Sequence, residues 1–270
     1  MNPPKILGQV VAIAAIVLLL GLVAMMIRDG IEHRDDSKHA ARQAQCFNNL
    51  KQIGLSIAQY SRMGEQSLGP YPQGTISNPD IPLERRTGWA SLIFKLGDEG
   101  CSGCEEIYPG PAWDDPMQKG GAGLDQEMYC PEHPRQGKNQ RLLPADYVGI
   151  AGLGVDAPSL PTTDKRAGIF GDDRLVGPVD VTDGLATTMM VVDSTVSPGP
   201  WFAGGRNTVR GLDPSRQPYI GKGQQFGGTH AGGANVLMAD GSVHFVKDSV
   251  APKVFEALST IAGGEKVSVP

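Results

Sequence analysis

Cys101, Cys104, Cys130 and His133 are the side chains whose types and spacing come nearest to a metal site. They read C-x2-C…C-x2-H, and each half can present two ligands from one tight turn, as a Cys3His zinc site requires. The same sulfurs can instead close disulfides, which persist outside the cytoplasm. With Cys46 the chain has 4 cysteines, and four cysteines allow three pairings. The two chemistries compete at each sulfur, because zinc binds thiolates. Disulfides are expected ahead of zinc, and no cofactor is expected with them.

A second stretch, "FGGTHAGGANVLMADGSVHFV", sets His230 ten positions before Asp240, with Gly241 next. The spacing invites a catalytic pair. However, Asp-Gly between two apolar runs is a strong hairpin signal, since a type I′ turn needs positive φ at both central residues. The expected hairpin pairs Asn235–Ala239 with Ser242–Val246 around Asp240-Gly241. His230 then lies at the far end of a strand about 17 Å long, out of reach of Asp240. Asp240 reads as a turn residue. His230, in a glycine loop, is expected to hydrogen-bond backbone, and His244 to sit at the surface.

Other chemistry is sparse. The sequence has no G-x-S-x-G, no P-loop and no H-E-x-x-H. Asp114-Asp115 and Asp172-Asp173 are adjacent acids, which fit solvated turns better than a calcium loop of alternating ligands. The net charge of -5 and pI near 5.5 argue against a nucleic-acid partner, which favours basic patches. No enzyme is expected.

The elements that must carry these residues begin with "ILGQVVAIAAIVLLLGLVAMMI", Ile6 to Ile27, which contains no charge. As a helix it rises about 33 Å, against a bilayer core of ~30 Å. A signal peptide usually has an apolar core of about 7–15 residues, so a retained anchor is expected. Phe47, Leu50, Ile53, Ile57 and Tyr60 then recur at helical spacing, with Arg42, Gln45, Asn49, Lys51 and Gln52 off the stripe. One long helix is expected, lying in lipid first and packing on a domain second. The division is 1–5 as a tail, 6–27 as a transmembrane helix, 28–62 as its amphipathic continuation and 63–270 as a β-rich domain.

The middle of the chain is rich in Gly and Pro breakers, with "GWASLIFKLG" as a short helix. Strands are expected at "DYVGIAG", "AGIFG", "RLVGPVDV" and "TTMMVVD". A C-terminal helix follows, capped by Ser249, with Pro252 in its first turn and Gly263 ending it.

These segments, in this order, resemble a bacterial prepilin-like family of unknown function with a C-terminal H-x9-D-G signature, related to type IV pilins and type II secretion pseudopilins. The resemblance rests on "ARQAQCFNNLKQIGLSI", "YCPEHP", "DYVGIAG", "VTDGLATTMMVVD", which contains Asp183-Gly184, "THAGGANVLMADGSVHFV" and "ALSTIAGGE". It covers roughly residues 40–265 and implies a pilin-like α+β fold, a long N-terminal helix against an antiparallel sheet. It also implies pairing of Cys46 with Cys130, leaving Cys101 with Cys104. The family's processing signature, Gly-Phe-Thr-Leu-x-Glu, is missing: Gly8 is followed by "QVVAI", and no glutamate stands in the apolar run.

The expected protein is non-enzymatic, single-pass in the inner membrane, with its C-terminal domain extracytoplasmic. Lys and Arg counts alone would keep that domain inside; the cysteines and the resemblance place it outside. Its expected partners are the membrane and other pilin-like subunits, or copies of itself, and not nucleic acid. The alternative is a zinc- or disulfide-stabilised binding module for a soluble ligand or glycan on a simple anchor.

Overall fold

The computed structural model describes residues 3–62, 69–95, 112–115, 126–133, 144–196 and 199–270. The chain divides into two compact units, Met1–Arg42 and Gln43–Pro270. Helix α1 (Pro3–Arg62) supplies the first unit and opens the second.

In the first unit the large apolar side chains from Ile13 to Ile31 are exposed. The helix is long and apolar enough to cross a membrane near the N-terminus. Beyond that run the polar surface carries helix-spaced ion pairs, Arg28 with Glu32 and Lys38 with Asp35.

In the second unit a five-stranded sheet has the order β3-β1-β2-β4-β5. The strands are β1 (Tyr147–Leu153), β2 (Met189–Asp193), β3 (Val209–Leu212), β4 (Gly233–Met238) and β5 (Val243–Lys247). Short helices α2 (Trp89–Lys95) and α3 (Pro252–Leu258) complete it. The fold is α+β, as expected. The sheet is antiparallel in three pairings, and β3 joins β1 in parallel. The connection leaving β2 passes β1 to reach the outer edge, and this sets the direction of β3.

Both faces of the sheet are covered, so β1, β2 and β4 read as nearly continuous apolar runs. One face buries Tyr147, Ala151, Val191 and Leu237 with the α1 stripe Leu50, Ile53 and Ile57 and with Trp89 of α2. The other buries Val148, Ile150, Val192 and Val236 with Phe255 and Leu258 of α3. Gly149 leaves room for the Phe170 ring, which would lie 2.8 Å from an added Cβ. Phe170 in turn stacks obliquely on Trp89, 5.0 Å between ring centres.

Several local expectations are corrected. "AGIFG" forms only a one-residue bridge, Ala167 to Gly152, because its hydrogen bonds to β1 are irregular. "RLVGPVDV" is not a strand: Pro178 cannot donate to a ladder, and Pro178–Asp180 makes a 3-10 turn. Ser249 does not cap α3; Ala251 occupies that position and Pro252 begins the helix. Asn49, placed off the apolar stripe, is buried at 8% exposure.

The hairpin stands where expected but with a different loop. Asn235 pairs with Phe245, Val236 with His244 and Leu237 with Val243. A two-residue turn would have paired Ala239 with Ser242. Instead the Met238 N–H reaches the Ser242 carbonyl at 2.8 Å, so the loop is Ala239, Asp240 and Gly241. This is the three-residue hairpin, a tight turn followed by a left-handed residue. The Gly241 N–H closes the turn on the Met238 carbonyl (3.0 Å), and Gly241 takes φ 83°. The loop is tethered from outside: Lys51 donates to the Gly241 carbonyl at 3.3 Å and Tyr71 to the Ala239 carbonyl at 3.3 Å.

Asp240 Oδ1 accepts the Ser242 N–H at 2.8 Å, a bond that asparagine can also make. Asp240→Asn is therefore expected to change unfolding stability by less than ~0.5 kcal/mol. Gly241→Val, forced into positive φ with a β-branched side chain, is expected to cost roughly 2 kcal/mol or more. Denaturant unfolding of the full chain in detergent checks both. An Asp240→Asn loss as large as that of Gly241→Val would refute the turn assignment.

Candidate functional site

The polar residues of the second unit converge where α1 meets β1. Cys46, on the buried face of α1, is bonded to Cys130 across 84 residues of sequence, with Cα atoms 5.3 Å apart. Both sulfurs are inside the protein. His230, in the loop before β4, brings Nε2 to 3.3 Å from the Cys130 sulfur. The two sulfurs and that nitrogen all lie within 4.8 Å of one another. Burial pushes the His230 imidazole below its usual pKa, with Glu132 opposing the shift. His230 therefore stands as a neutral ring beside a disulfide. It does not merely bond its own glycine loop, as its sequence context suggests.

The short segment ending in Cys130 is held from three sides. Asp146, buried at the start of β1, accepts the Cys130 N–H at 2.8 Å with one oxygen. Its other oxygen takes a short hydrogen bond with His133 Nδ1. That bond is the main cause of a raised His133 pKa. Asn49 of α1 donates to the Tyr129 carbonyl at 2.6 Å. Tyr147, opposite Asp193 in the β1–β2 register, donates to the Cys46 carbonyl at 3.4 Å. Burial lifts the Tyr147 phenol well above its usual range, with the Asp193 charge adding to it.

Asp193 is the most confined ionisable group of this cluster. It ends β2 with no exposed surface. Its Oδ2 accepts the Asn235 N–H at 2.9 Å and the Asn235 side-chain amide at 3.3 Å. Its Oδ1 has no hydrogen-bond partner among the described residues. Burial, opposed by the two Asn235 bonds, pushes its pKa up to about 7.

The expected site residues divide as follows. Cys101 and Cys104 lie outside the described residues. Cys130 is joined to Cys46, and His133 is bound to Asp146. A sulfur in a disulfide has no thiolate to offer a metal. Asp240 and Gly241 form the hairpin loop at the other end of β4 from His230. Asp183 receives the Gly263 N–H at 2.7 Å and the Gly264 N–H at 2.9 Å, so it anchors the segment after α3. Gly184, at φ 101°, turns the chain before β2 begins. His244 is half-buried and shares a hydrogen bond with Ser242 at 3.0 Å.

Asn49, Asp146, Asp193 and Asn235 are not expected as site residues from the sequence; Asn49 reads as a residue off the apolar stripe and Asn235 as the start of a hairpin strand. Asp193 follows an unbroken apolar run, "MMVV", and that is the one local sign of burial. The others become visible only when α1, β1, β2 and β4 are brought together. The arrangement ties segments distant in sequence and encloses two unlike titrating groups, neutral His230 and Asp193.

A family model described as "Protein of unknown function (DUF1559)" matches residues 36–253. Searches of curated proteins and of solved structures found no match.

Asp193 sets a pH dependence whose sign follows from its environment. Its pKa rises from 3.8 unfolded to about 7 folded, so the folded chain holds the proton through that interval. The stability this group contributes is full below pH 3.8 and falls as pH rises to about 7. Asp193→Asn keeps the shape and removes the ionisation. The variant's margin over the parent is expected to widen from pH 5 to pH 8 by on the order of 2–3 kcal/mol. Unfolding curves at the two pH values check this; a variant destabilised equally at both would show that Asp193 acts as a needed anion.

Proposed function

We propose, for a chain that belongs to the DUF1559 family, a non-enzymatic, pilin- or pseudopilin-like role in the cell envelope. The protein is held in the inner membrane by the apolar part of α1, and its folded unit works outside through surface interactions. One observation carries the reading: a single helix, Pro3–Arg62, is apolar and exposed from Ile13 to Ile27 and buries Cys46, Leu50, Ile53 and Ile57 in a folded unit. A helix used in this way leaves one half available to lipid or to neighbouring helices, where small and apolar side chains pack without charge.

The Cys46–Cys130 disulfide supports an extracytoplasmic folded unit, since such bonds persist in oxidising compartments. The H-x9-D-G signature, His230 to Gly241, supports the prepilin-like assignment through its two ends. One end abuts the disulfide and the other forms the hairpin loop tethered by Lys51. No glutamate stands in the apolar run, so helix-to-helix association must rest on packing rather than on a charge paired in lipid.

Photo-reactive residues placed at Leu18 and Met25, in cells that make the full chain, test the reading. The chain is expected to stay with the membrane after an alkaline wash and to yield adducts with copies of itself or with other single-helix membrane chains. A soluble chain beginning after Ile27 would contradict the anchor. Monomer without adducts from both positions would contradict assembly through α1.

A further inference from the structure

Three arginines line a small pocket beside the edge strand β3. The pocket, about 200 Å³, is lined by Val155, Arg206, Arg210, Asp213, Arg216 and Gln225 among others. Arg210 is half-buried on β3. Its guanidinium is positioned by the Arg206 carbonyl (2.9 Å) and the Ser194 hydroxyl (3.0 Å). Arg206 and Arg216 stand exposed at the rim.

The loop carrying Arg216 is fixed from beneath. Buried Gln225 accepts the Asp213 N–H at 2.8 Å and donates to the Asp213 and Arg216 carbonyls, each at 3.0 Å. The carboxylate of Asp213 is engaged within that loop by the Ser215 N–H (3.0 Å) and hydroxyl (2.6 Å). Those bonds, the hydroxyl first, hold its pKa below the usual carboxylate range. Among the described residues that line this pocket, Arg206, Arg210 and Arg216 accompany the carboxylate of Asp213, and Arg206 also lies within electrostatic reach of Asp172.

We infer that this pocket binds a tetrahedral oxyanion of the phosphate or sulfate class, either free or carried by a small soluble molecule. Guanidinium forks match oxyanion geometry in a way that single ammonium groups do not, and the exposed Arg206 and Arg216 at the rim can turn theirs toward a bound anion. Burial first, and the nearby Arg216 charge second, bring the Arg210 pKa down to about 10.

The pocket also has room beside it. Val155, Pro158 and Arg206 line a second concavity of about 600 Å³, where Glu84, Asp156 and Asp172 contribute acidic groups. A ligand bearing one oxyanion can set it among the arginines and extend its polar remainder into that space. Volumes of this order suit small-molecule ligands.

Inorganic phosphate and sulfate, titrated into the full chain in non-ionic detergent against sodium chloride of equal ionic strength, test the site. Calorimetry is expected to give saturable binding of at least one oxyanion, which chloride does not reproduce. Arg216→Gln is expected to weaken it at least about threefold, and the Arg206→Gln/Arg216→Gln pair about tenfold. Arg85→Gln, an arginine bound to Asp114 on another surface, is expected to leave it unchanged. The rim positions are exposed, so these variants fold, and their unfolding midpoints without oxyanion check that they do.

A sugar phosphate or sugar sulfate separates the sources. Tighter binding than the inorganic ion assigns the site to an esterified ligand, and equal binding assigns it to the free ion. No saturation beyond chloride, or equal affinity in the parent and the double variant, would overturn the site.

Discussion

Burial of one stripe of α1 against the sheet is the interaction on which the folded unit depends. Leu50, Ile53 and Ile57 have essentially no exposed surface, and each such side chain contributes about 1.5–3 kcal/mol relative to exposure. A helix that continues into a long exposed apolar run gains nothing from its own N-terminal half for folding in water. Its second half must therefore bind the domain strongly enough to hold its place. The Cys46–Cys130 bond adds on the order of 4 kcal/mol by the chain-entropy estimate. It acts at the first buried turn of the helix, next to the exposed part.

The polar groups around that bond set a constraint of a different kind. A buried donor or acceptor left unpaired costs about 1–3 kcal/mol, so the seam between α1 and β1 must satisfy Asn49, Asp146, His133 and Tyr147 together. Asn49 meets the Tyr129 carbonyl, Asp146 meets the Cys130 N–H and His133, and Tyr147 meets the Cys46 carbonyl. Most of these bonds reach the backbone on either side of the disulfide. They specify where it forms, and the disulfide then keeps them aligned. Asp193 is the exception, a buried carboxyl whose Oδ1 finds no partner among the described residues. Burial favours its neutral form, which makes this cluster sensitive to pH.

Much of the frame was legible in the sequence because it follows from periodicity. The α1 stripe, the strands at "DYVGIAG", "TTMMVVD" and "NVLMA", and the helix beginning at Pro252 are each set by local apolar spacing or a breaker. The hairpin was legible as a hairpin but not in its register. Two- and three-residue loops both accept Asp-Gly, and Lys51 and Tyr71, which tether the observed loop, are remote in sequence. The cluster was less legible. His230 looks like a loop histidine until the fold brings it to Cys130, and Asn49 looks like a surface residue until the Tyr129 carbonyl faces it. The Cys46–Cys130 pairing came from resemblance, because spacing alone leaves three choices.

Hydrogen exchange of the full chain in detergent, with the disulfide intact, tests most directly whether the second half of α1 is a core element. Amides from Cys46 to Ile57 are expected to exchange as slowly as those of β2 and β4, because they open only when the folded unit opens. If that segment instead exchanges as rapidly as an isolated helix while β2 and β4 stay protected, the helix is a stalk that the domain does not need. The account built on its burial would then be wrong.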